Sequence, residues 1–355
     1  MSASPTGGEL GEEGTVLVTG AAGFIGFHLA KALLQQGRRV VGYDNLNDYY
    51  DVTLKEARLG ILQADDKFRF HRRDLEDAEA LEAVFREERF AAVVHLAAQA
   101  GVRYSLVNPR VYIDSNIVGF FNVIDACRKH GTAHFLYASS SSVYGLNRKM
   151  PFAEGDNVDH PISLYAASKK SNELVSHAYS YLYGLPTTGL RFFTVYGPWG
   201  RPDMALFRFC RAIQLGEPVH LYNRGEMERD FTYVDDIVDG ILGILDRPAL
   251  PDEGWSGERP DPASSLAPYR LYNIGAGRPV PLRRFLALIE EALGKRAEVI
   301  PEPMQPGDIQ ASFADVSRLA GAADYEPKIT IEEGIPRFVE WFREYYSGGR
   351  PIPSR

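Results

Sequence analysis

The sequence predicts an α/β protein: a doubly wound parallel sheet with a smaller C-terminal lobe over one end of it. Three observations carry this expectation. Short β-branched apolar runs alternate with stretches of helical spacing over residues 15–197. A glycine-spaced turn joins the first run to the first helix. Beyond Gly197, Pro198, Pro202 and Pro218 break the pattern into short pieces.

The elements follow in order. Thr15–Thr19 is the first run; it ends at Gly20 and passes into helical spacing over Phe24–Gln36. Arg39–Tyr43, Phe68–Arg72 and Ala91–Leu96 read as the next strands, with a helix over Ala78–Arg89. A long helix is expected over Ile113–His130, then a strand over His134–Ala138. A helix over Tyr165–Tyr183 and a strand over Pro186–Phe193 complete this half. Residues 1–14 are small, polar and acidic and read as a disordered leader. Residues 15–197 are expected to form the nucleotide-binding domain, with a return segment at 233–247 built on a helix over Asp235–Asp246. Residues 198–232 and 248–346 are assigned to the substrate lobe. In that lobe 248–268 reads as an exposed loop, Tyr272–Ile274 as a short strand, and Pro281–Leu293 and Glu332–Tyr346 as helices.

Composition narrows the function classes. Hydrophobic residues are 45% and charged residues 24%, as in ordinary globular chains, and the net charge is −8. No basic block stands out, which argues against a nucleic-acid partner. An anionic ligand would need a local positive site instead. Cys127 and Cys210 lie in apolar stretches and read as buried free thiols, with no disulfide framework and no metal site. The N-terminus lacks the basic start and apolar run of a signal peptide. No apolar stretch reaches the roughly 20 residues that span a bilayer. The expected setting is a reducing cytoplasm, away from membranes.

The turn Val16-Leu-Val-Thr-Gly20-Ala-Ala-Gly23-Phe-Ile-Gly26 places glycines three apart between a strand and a helix. Gly20 permits the sharp turn, Gly23 lets backbone approach a pyrophosphate, and Gly26 lets helix and strand pack closely. The helix N-terminus then offers free amides to the phosphates. Asp44 closes the second strand, where a carboxylate accepts adenosine ribose hydroxyls and repels a 2′-phosphate, so NAD is favoured over NADP. Arg38 and Arg39, just before that strand, read as surface charges. Asp74 and Leu75 are placed for the adenine edge, and Ala97-Ala98-Gln99 is small enough to pass near the cofactor.

Tyr165-Ala-Ala-Ser-Lys169 sets a phenol and an ammonium four apart, on one helix face. A nearby positive charge favours phenolate, so Tyr165 can act as a base near neutral pH. Ser139-Ser140-Ser141-Ser142 emerges from the end of a buried strand and sets hydroxyls in the crevice.

With the glycine turn, the serine run, the Tyr165/Lys169 pair and the later Arg191-Phe-Phe-Thr-Val-Tyr-Gly-Pro, the chain resembles the extended short-chain dehydrogenase/reductase family. The likeness covers nearly the whole length and is strongest in the nucleotide-sugar branch. It implies a Rossmann-type sheet, bound NAD, a UDP-sugar substrate and a homodimer built on the helices Val111–His130 and Leu164–Tyr183. It implies that Tyr165 is the base, that Lys169 holds the nicotinamide ribose, and that Ser140 hydrogen-bonds the sugar 4-hydroxyl. The implied cofactor set is Gly20, Gly23, Phe24, Ile25, Gly26, Asp44, Asn45, Asn47, Asp74, Leu75, Ala97, Ala98, Gln99, Asn116, Ser139, Tyr165, Lys169 and Phe192.

Three departures bear on the reaction. Many neutral-hexose epimerases of this branch carry Asn where this chain has Thr194. Decarboxylases carry Glu at the place of Ser142, and dehydratases carry Asp-Glu where Ser141-Ser142 stands. Neutral hydroxyls from Ser140, Ser141, Ser142 and Thr194 suit a uronate carboxylate that must be held and not expelled. Arg191–Met204 and Gln99–Ser105 resemble the corresponding stretches of UDP-glucuronate 4-epimerases, which interconvert UDP-glucuronate and UDP-galacturonate. Arg201 is a candidate second anchor for the carboxylate, or a residue nearer the phosphates. Arg103 reads either as a substrate contact or as an ion-pair residue. Val219, Leu221, Tyr222, Arg229 and Asp308 are expected at the nucleotide end, Arg229 on the pyrophosphate and Asp308 on the uridine ribose. Gln305 stands where the branch often has Arg, so the phosphate grip falls more on Arg229 and Arg201. Competing readings are a UDP-glucuronate decarboxylase, a neutral UDP-hexose 4-epimerase, and an NAD-sensing binding protein without catalysis.

Overall fold

The computed structural model describes residues 14–305 and 308–354; the leader expected over 1–14 lies, save for Gly14, outside the described residues. The first half alternates strand and helix. In order come β1 (Thr15–Thr19), α1 (Phe24–Gln35), β2 (Val40–Asp44), α2 (Val52–Leu62), β3 (Phe68–Arg72), α3 (Ala78–Glu87) and β4 (Phe90–His95). Two short helices, α4 (Tyr104–Val107) and α5 (Arg110–Ile113), precede α6 (Phe120–His130), β5 (His134–Ser140), α7 (Leu164–Tyr183) and β6 (Thr187–Phe192). The second half holds β7 (Thr194–Tyr196), α8 (Ala205–Leu215), β8 (Val219–Tyr222), β9 (Glu228–Tyr233), α9 (Val234–Leu245) and β10 (Tyr269–Ile274). It ends with β11 (Pro279–Pro281), α10 (Leu282–Leu293), β12 (Val299–Glu302), β13 (Ala311–Ser312), α11 (Ser317–Ala323) and α12 (Ile331–Tyr345).

Seven strands form one sheet in the order β3-β2-β1-β4-β5-β6-β10. Every pairing in it is parallel. All five residues of β1 and all six of β6 are buried, because helices cover both faces. The order reverses between β1 and β4, which opens a crevice at the carboxyl ends of those strands. The glycine turn, the Gln99 segment and the serine run all leave the sheet at that end. The lobe is built on a small sheet of β11, β9 and β13, with β7 also paired to β9, and on the pair β12–β8. Phe231 and Phe285 stack at 3.8 Å in its centre. One apolar core runs without a break from Val16 and Val18 in the sheet to Phe285 and Phe338 in the lobe, so the two parts pack as one body.

Five expectations need correction. An unforeseen helix, α2, follows β2; its buried set Leu54, Lys55, Arg58, Leu59 and Leu62 mixes charge into the apolar stripe, which hides the helical period. The long helix expected over Ile113–His130 is interrupted by a π-helical segment, Asp114–Gly119, that widens the turn around Asn116. β10 belongs to the central sheet, pairing with β6 from Tyr269 to Ile274, so 248–346 is not wholly lobe. The loop before it is not simply exposed: Ala263, Ser264, Ser265 and Ala267 are buried, and Leu271 donates its N–H to Ala263 O at 2.9 Å. Arg38 is no surface charge but is buried against Asp246. Cys127 and Cys210 are free and buried, and among the described residues no helix is long and apolar enough to cross a membrane.

Two interior histidines make stability depend on pH. His134 has Nδ1 at 2.9 Å from Leu245 O and Nε2 at 2.9 Å from Thr188 Oγ1, an arrangement that suits a neutral ring donating from Nδ1 and accepting at Nε2. His95 lies 2.9 Å from Thr19 Oγ1. Burial pushes His134 down to about 4 and His95 down to about 3. The neutral rings therefore favour the folded state above the ordinary histidine range, and that advantage is lost as pH falls from about 6.5 through the folded values. By pH 5 the loss is on the order of 2 kcal/mol per ring. Denaturant unfolding of wild type and His134→Gln at pH 7 and pH 5 checks this. The variant's profile is expected to be flatter, and parallel profiles would refute the assignment.

Candidate functional site

The glycine turn is shaped by close approach. Gly20 has φ +73°, and a Cβ on it would stand 2.8 Å from Ala97 N. A Cβ on Gly26 would stand 2.1 Å from Gly20 O, so helix and turn could not close over any other residue. α1 begins with no side-chain cap and no acid in its first turn, which leaves its amides for an anion. Across the crevice Thr19 Oγ1 accepts the Ala97 N–H at 3.1 Å, tying the ends of β1 and β4.

Asp44 sits at the rim of this cradle. Its Oδ2 accepts the Ala22 N–H at 3.1 Å and its Oδ1 the Leu46 N–H at 2.9 Å. Each oxygen keeps acceptor capacity for a ribose hydroxyl. Burial pushes its carboxyl up, against those two hydrogen bonds and the charges of Lys55 and Arg58. Asn45 Nδ2 donates to Asp74 Oδ1 at 2.6 Å, and Tyr43 OH donates to Asp74 O at 2.9 Å, so the ends of β2 and β3 form one polar rim. The residues present fit a dinucleotide: a cradle that side chains would fill, free helix amides, and a carboxylate at the ribose position.

Asn116, lifted by the π segment, is spent on a bracket. Its Oδ1 accepts the Gln99 N–H at 2.8 Å, and its Nδ2 donates to Gln99 O at 3.0 Å and Ser168 Oγ at 3.1 Å. It thus fixes the Gln99 segment against α7. That helix starts at a Ser163 cap, whose Oγ accepts the Ala166 N–H at 3.1 Å, so Tyr165 lies in its first turn and Lys169 one turn on. Lys169 is buried, and its Nζ donates to Ala138 O at 2.8 Å, joining α7 to the end of β5. Burial pushes the Lys169 ammonium down to about 8. Burial also pushes the Tyr165 phenol up, while the Ser140 hydroxyl and the Arg201 charge pull it down. The Tyr112 ring supports Tyr165 edge-on at 6.1 Å.

The serine run divides its labour. Ser140 Oγ accepts the Ser142 N–H at 3.1 Å and caps a short 3₁₀ turn over Ser141–Tyr144. Ser139 faces the other way, and its hydroxyl donates to Glu173 Oε1 at 2.6 Å. Glu173 holds Arg191 through two contacts, 2.8 Å from Nε to Oε1 and 2.9 Å from Nη2 to Oε2. Arg191 Nη1 reaches Tyr144 OH at 3.1 Å, and Tyr144 OH donates to Asn273 Oδ1 at 2.7 Å. This buried chain ties the serine turn to α7, β6 and β10. Ser140 pairs with Phe192 across β5 and β6, while Thr194, two residues on, pairs with Phe231 and lines a cavity with Arg201.

At the lobe end, residues far apart in sequence come together. Arg103 Nη2 lies 3.0 Å from Asp308 Oδ2, and its guanidinium lies 4.6 Å from the centre of the Tyr222 ring. Arg229 Nη2 donates to Ile309 O at 2.7 Å and Nη1 to Gln310 O at 3.2 Å, directly after Asp308. Arg201 is gripped by Asp203 at 3.0 Å and 2.6 Å. Burial alone would lower Arg201, but the Asp203 charge outweighs it, so the guanidinium stays charged.

The chain matches the NAD dependent epimerase/dehydratase family over residues 16–275, from within β1 to just past β10. The chain belongs to this family. A probable UDP-glucuronate 4-epimerase of Rhizobium meliloti is 48% identical over 93% of this chain and 97% of its own. UDP-glucuronate 4-epimerase 4 of Arabidopsis thaliana is 45% identical over 96% of this chain and 78% of its own. Among solved structures, the UDP-glucuronic acid 4-epimerase of Bacillus cereus, in complex with UDP-glucuronic acid and NAD, superposes with a TM-score of 0.83. It is 30% identical, over 94% of this chain and 100% of that one.

Within this epimerase/dehydratase frame, the structure narrows how several expected residues could meet a ligand. The Ser139 hydroxyl donates to Glu173, which leaves its acceptor side and its backbone for a cofactor. Val219 and Leu221 bury their side chains in the core, because alternate residues of β8 point inward, so only their backbone could face a substrate. Leu75 is also a core residue, and a Cβ on Gly119 would press on it at 2.7 Å. Arg103, open between two roles, forms an ion pair whose partner is itself a proposed substrate residue. The sequence reading missed Lys55, Arg58, Tyr112, Tyr144 and Glu173. Glu173 carried a signal: it lies four residues after Lys169, on the same helical face.

Proposed function

We propose that the chain epimerises UDP-glucuronate to UDP-galacturonate at carbon 4, by way of a 4-keto sugar, with NAD in the glycine cradle. The carrying observation is that Tyr165, with Lys169 one turn on and anchored to the end of β5, meets the Ser140 hydroxyl at the head of a serine turn that holds no acid. Bound NAD supplies a positive ring and a reversible hydride acceptor. Tyr165 takes the proton of the sugar 4-hydroxyl and later returns it, while Ser140 aligns that hydroxyl. Lys169 keeps a positive charge beside the phenol and orients the ribose. The hydroxyls of Ser141, Ser142 and Thr194, with Arg201, hold the carboxylate, and the absence of an acid at Ser142 leaves nothing to drive it out. Arg229 is assigned to the pyrophosphate and Arg103, Tyr222 and Asp308 to the uridine end, supported by their clustering. The reading places the enzyme in the cytoplasm. Incubation with UDP-glucuronate and mass analysis of the product tests it: a hexuronate of unchanged mass and inverted carbon 4 is expected. A UDP-pentose as main product would overturn it.

The same reading makes the protein a homodimer. Val118 and Phe121, at and before the start of α6, and Leu174 and Tyr181 on α7 are exposed, and α6 packs against α7. Such an apolar face suits burial against a second copy. Sedimentation is expected to give twice the chain mass for the wild type and the chain mass for Leu174→Arg. A monomeric wild type would refute the dimer.

A further inference from the structure

Helix α2 carries two cations that the chemistry above leaves unused. Lys55 is 5% exposed and Arg58 is 0% exposed. Among the described residues their hydrogen-bond partners are neutral. Lys55 Nζ donates to Asn47 O at 2.5 Å and Asn47 Oδ1 at 2.7 Å. Arg58 Nη1 donates to Ala22 O at 2.9 Å and Tyr50 OH at 2.7 Å, and Nη2 to Trp199 O at 2.5 Å. Among the described residues, Arg58 Nε is buried without a hydrogen-bond partner. The Tyr50 ring lies 4.4 Å from the ammonium and 5.6 Å from the guanidinium. The carboxylates that act on Lys55 are Asp44 and the exposed Asp48, while Arg201 adds a third positive charge from the lobe side.

Burying cations without an ion-pair partner is costly, and a fold keeps them where something compensates. Their attachments show where the compensation belongs. Arg58 grips Ala22, inside the glycine turn, and Trp199, two residues before Arg201. Trp199 itself is held at φ +62°, a conformation that needs such a restraint. Lys55 closes the loop that begins at Asp44. Both charges therefore stand beside the N-terminus of α1, where the free amides already favour an anion.

We infer that Lys55 and Arg58 form the built-in counter-charge for the pyrophosphate of the dinucleotide. Arg58 is a positioning residue: it fixes the glycine turn and adds its field through a dry wall. Lys55 has one ammonium proton beyond its two bonds to Asn47, and offers it to the ligand. This rests on the NAD reading, and the charges recognise the phosphates, not the nucleoside.

The test is calorimetric titration of protein stripped of nucleotide, with NAD, ADP and adenosine as probes. Lys55→Gln is expected to weaken NAD and ADP by about tenfold or more, with adenosine unchanged. Arg58→Gln is expected to do the same, and Arg58→Lys to restore part of the loss. Adenosine binding also reports that each variant is folded. Equal losses for ADP and adenosine would make the pair a scaffold only and overturn the inference, as would unchanged ADP binding. A wild type that binds neither NAD nor ADP would overturn the NAD reading itself.

Discussion

Tyr165→Phe is expected to lower kcat by roughly two to four orders of magnitude, the range of a positioned acid–base group. The substitution removes one oxygen and leaves the ring that packs on Tyr112. NAD affinity should therefore hold, and KM should move little. That separation matters, because Lys169→Met would disturb both: its Nζ also joins α7 to Ala138 O. Product formation from UDP-glucuronate, with NAD affinity measured in parallel, decides it. A kcat within a factor of about two of wild type would remove Tyr165 from the chemistry.

The second large effect is on stability. Glu173 is 1% exposed and Arg191 0% exposed, and they meet through two parallel contacts. Burial alone would raise the Glu173 carboxyl, but the Arg191 charge and hydrogen bonds hold it below the ordinary range. Glu173→Ala leaves a buried guanidinium without its anion, at about 3–5 kcal/mol. A fall in Tm of roughly 4–7 °C is expected by thermal unfolding. Replacing both residues by Met should recover much of that loss, since desolvation of both charges is then avoided. Activity should recover less, because Ser139 and Tyr144 lose the partners that hold the serine turn. A Tm shift below about 2 °C for Glu173→Ala would show that the pair carries little of the fold.

Much of this was legible because it is local. β1 was bounded correctly by its apolar run and β3 by its alternating Phe68 and Phe70, and the glycine turn announced its own geometry through spacing. Tyr165 and Lys169 were legible for the same reason, four residues apart on one helix. What stayed hidden depends on distant partners. The stripe of α2 is broken by Lys55 and Arg58, whose burial makes sense only beside Ala22 and Trp199. Ser139 and Ser140 are identical in sequence, and only the placement of Glu173 decides that one hydroxyl turns inward. Val219 and Leu221 were expected at the nucleotide end, but alternation along the strand sends those two side chains to the core. β10 was read as a short lobe strand because its partner, β6, lies far back in the chain.

That last strand has a consequence for the newborn protein. β6 is complete at Phe192, but its outer edge finds its partner only once Tyr269–Ile274 has been made. During synthesis, at about 5–20 residues per second, the nascent chain holds an unpaired parallel edge for several seconds. The intervening segment also carries β9 and α9, which close over the same core. Folding is thus deferred until that segment has left the ribosome. A fragment stopped after Gly197 is expected to aggregate, while one that extends past Ile274 carries every strand of the central sheet.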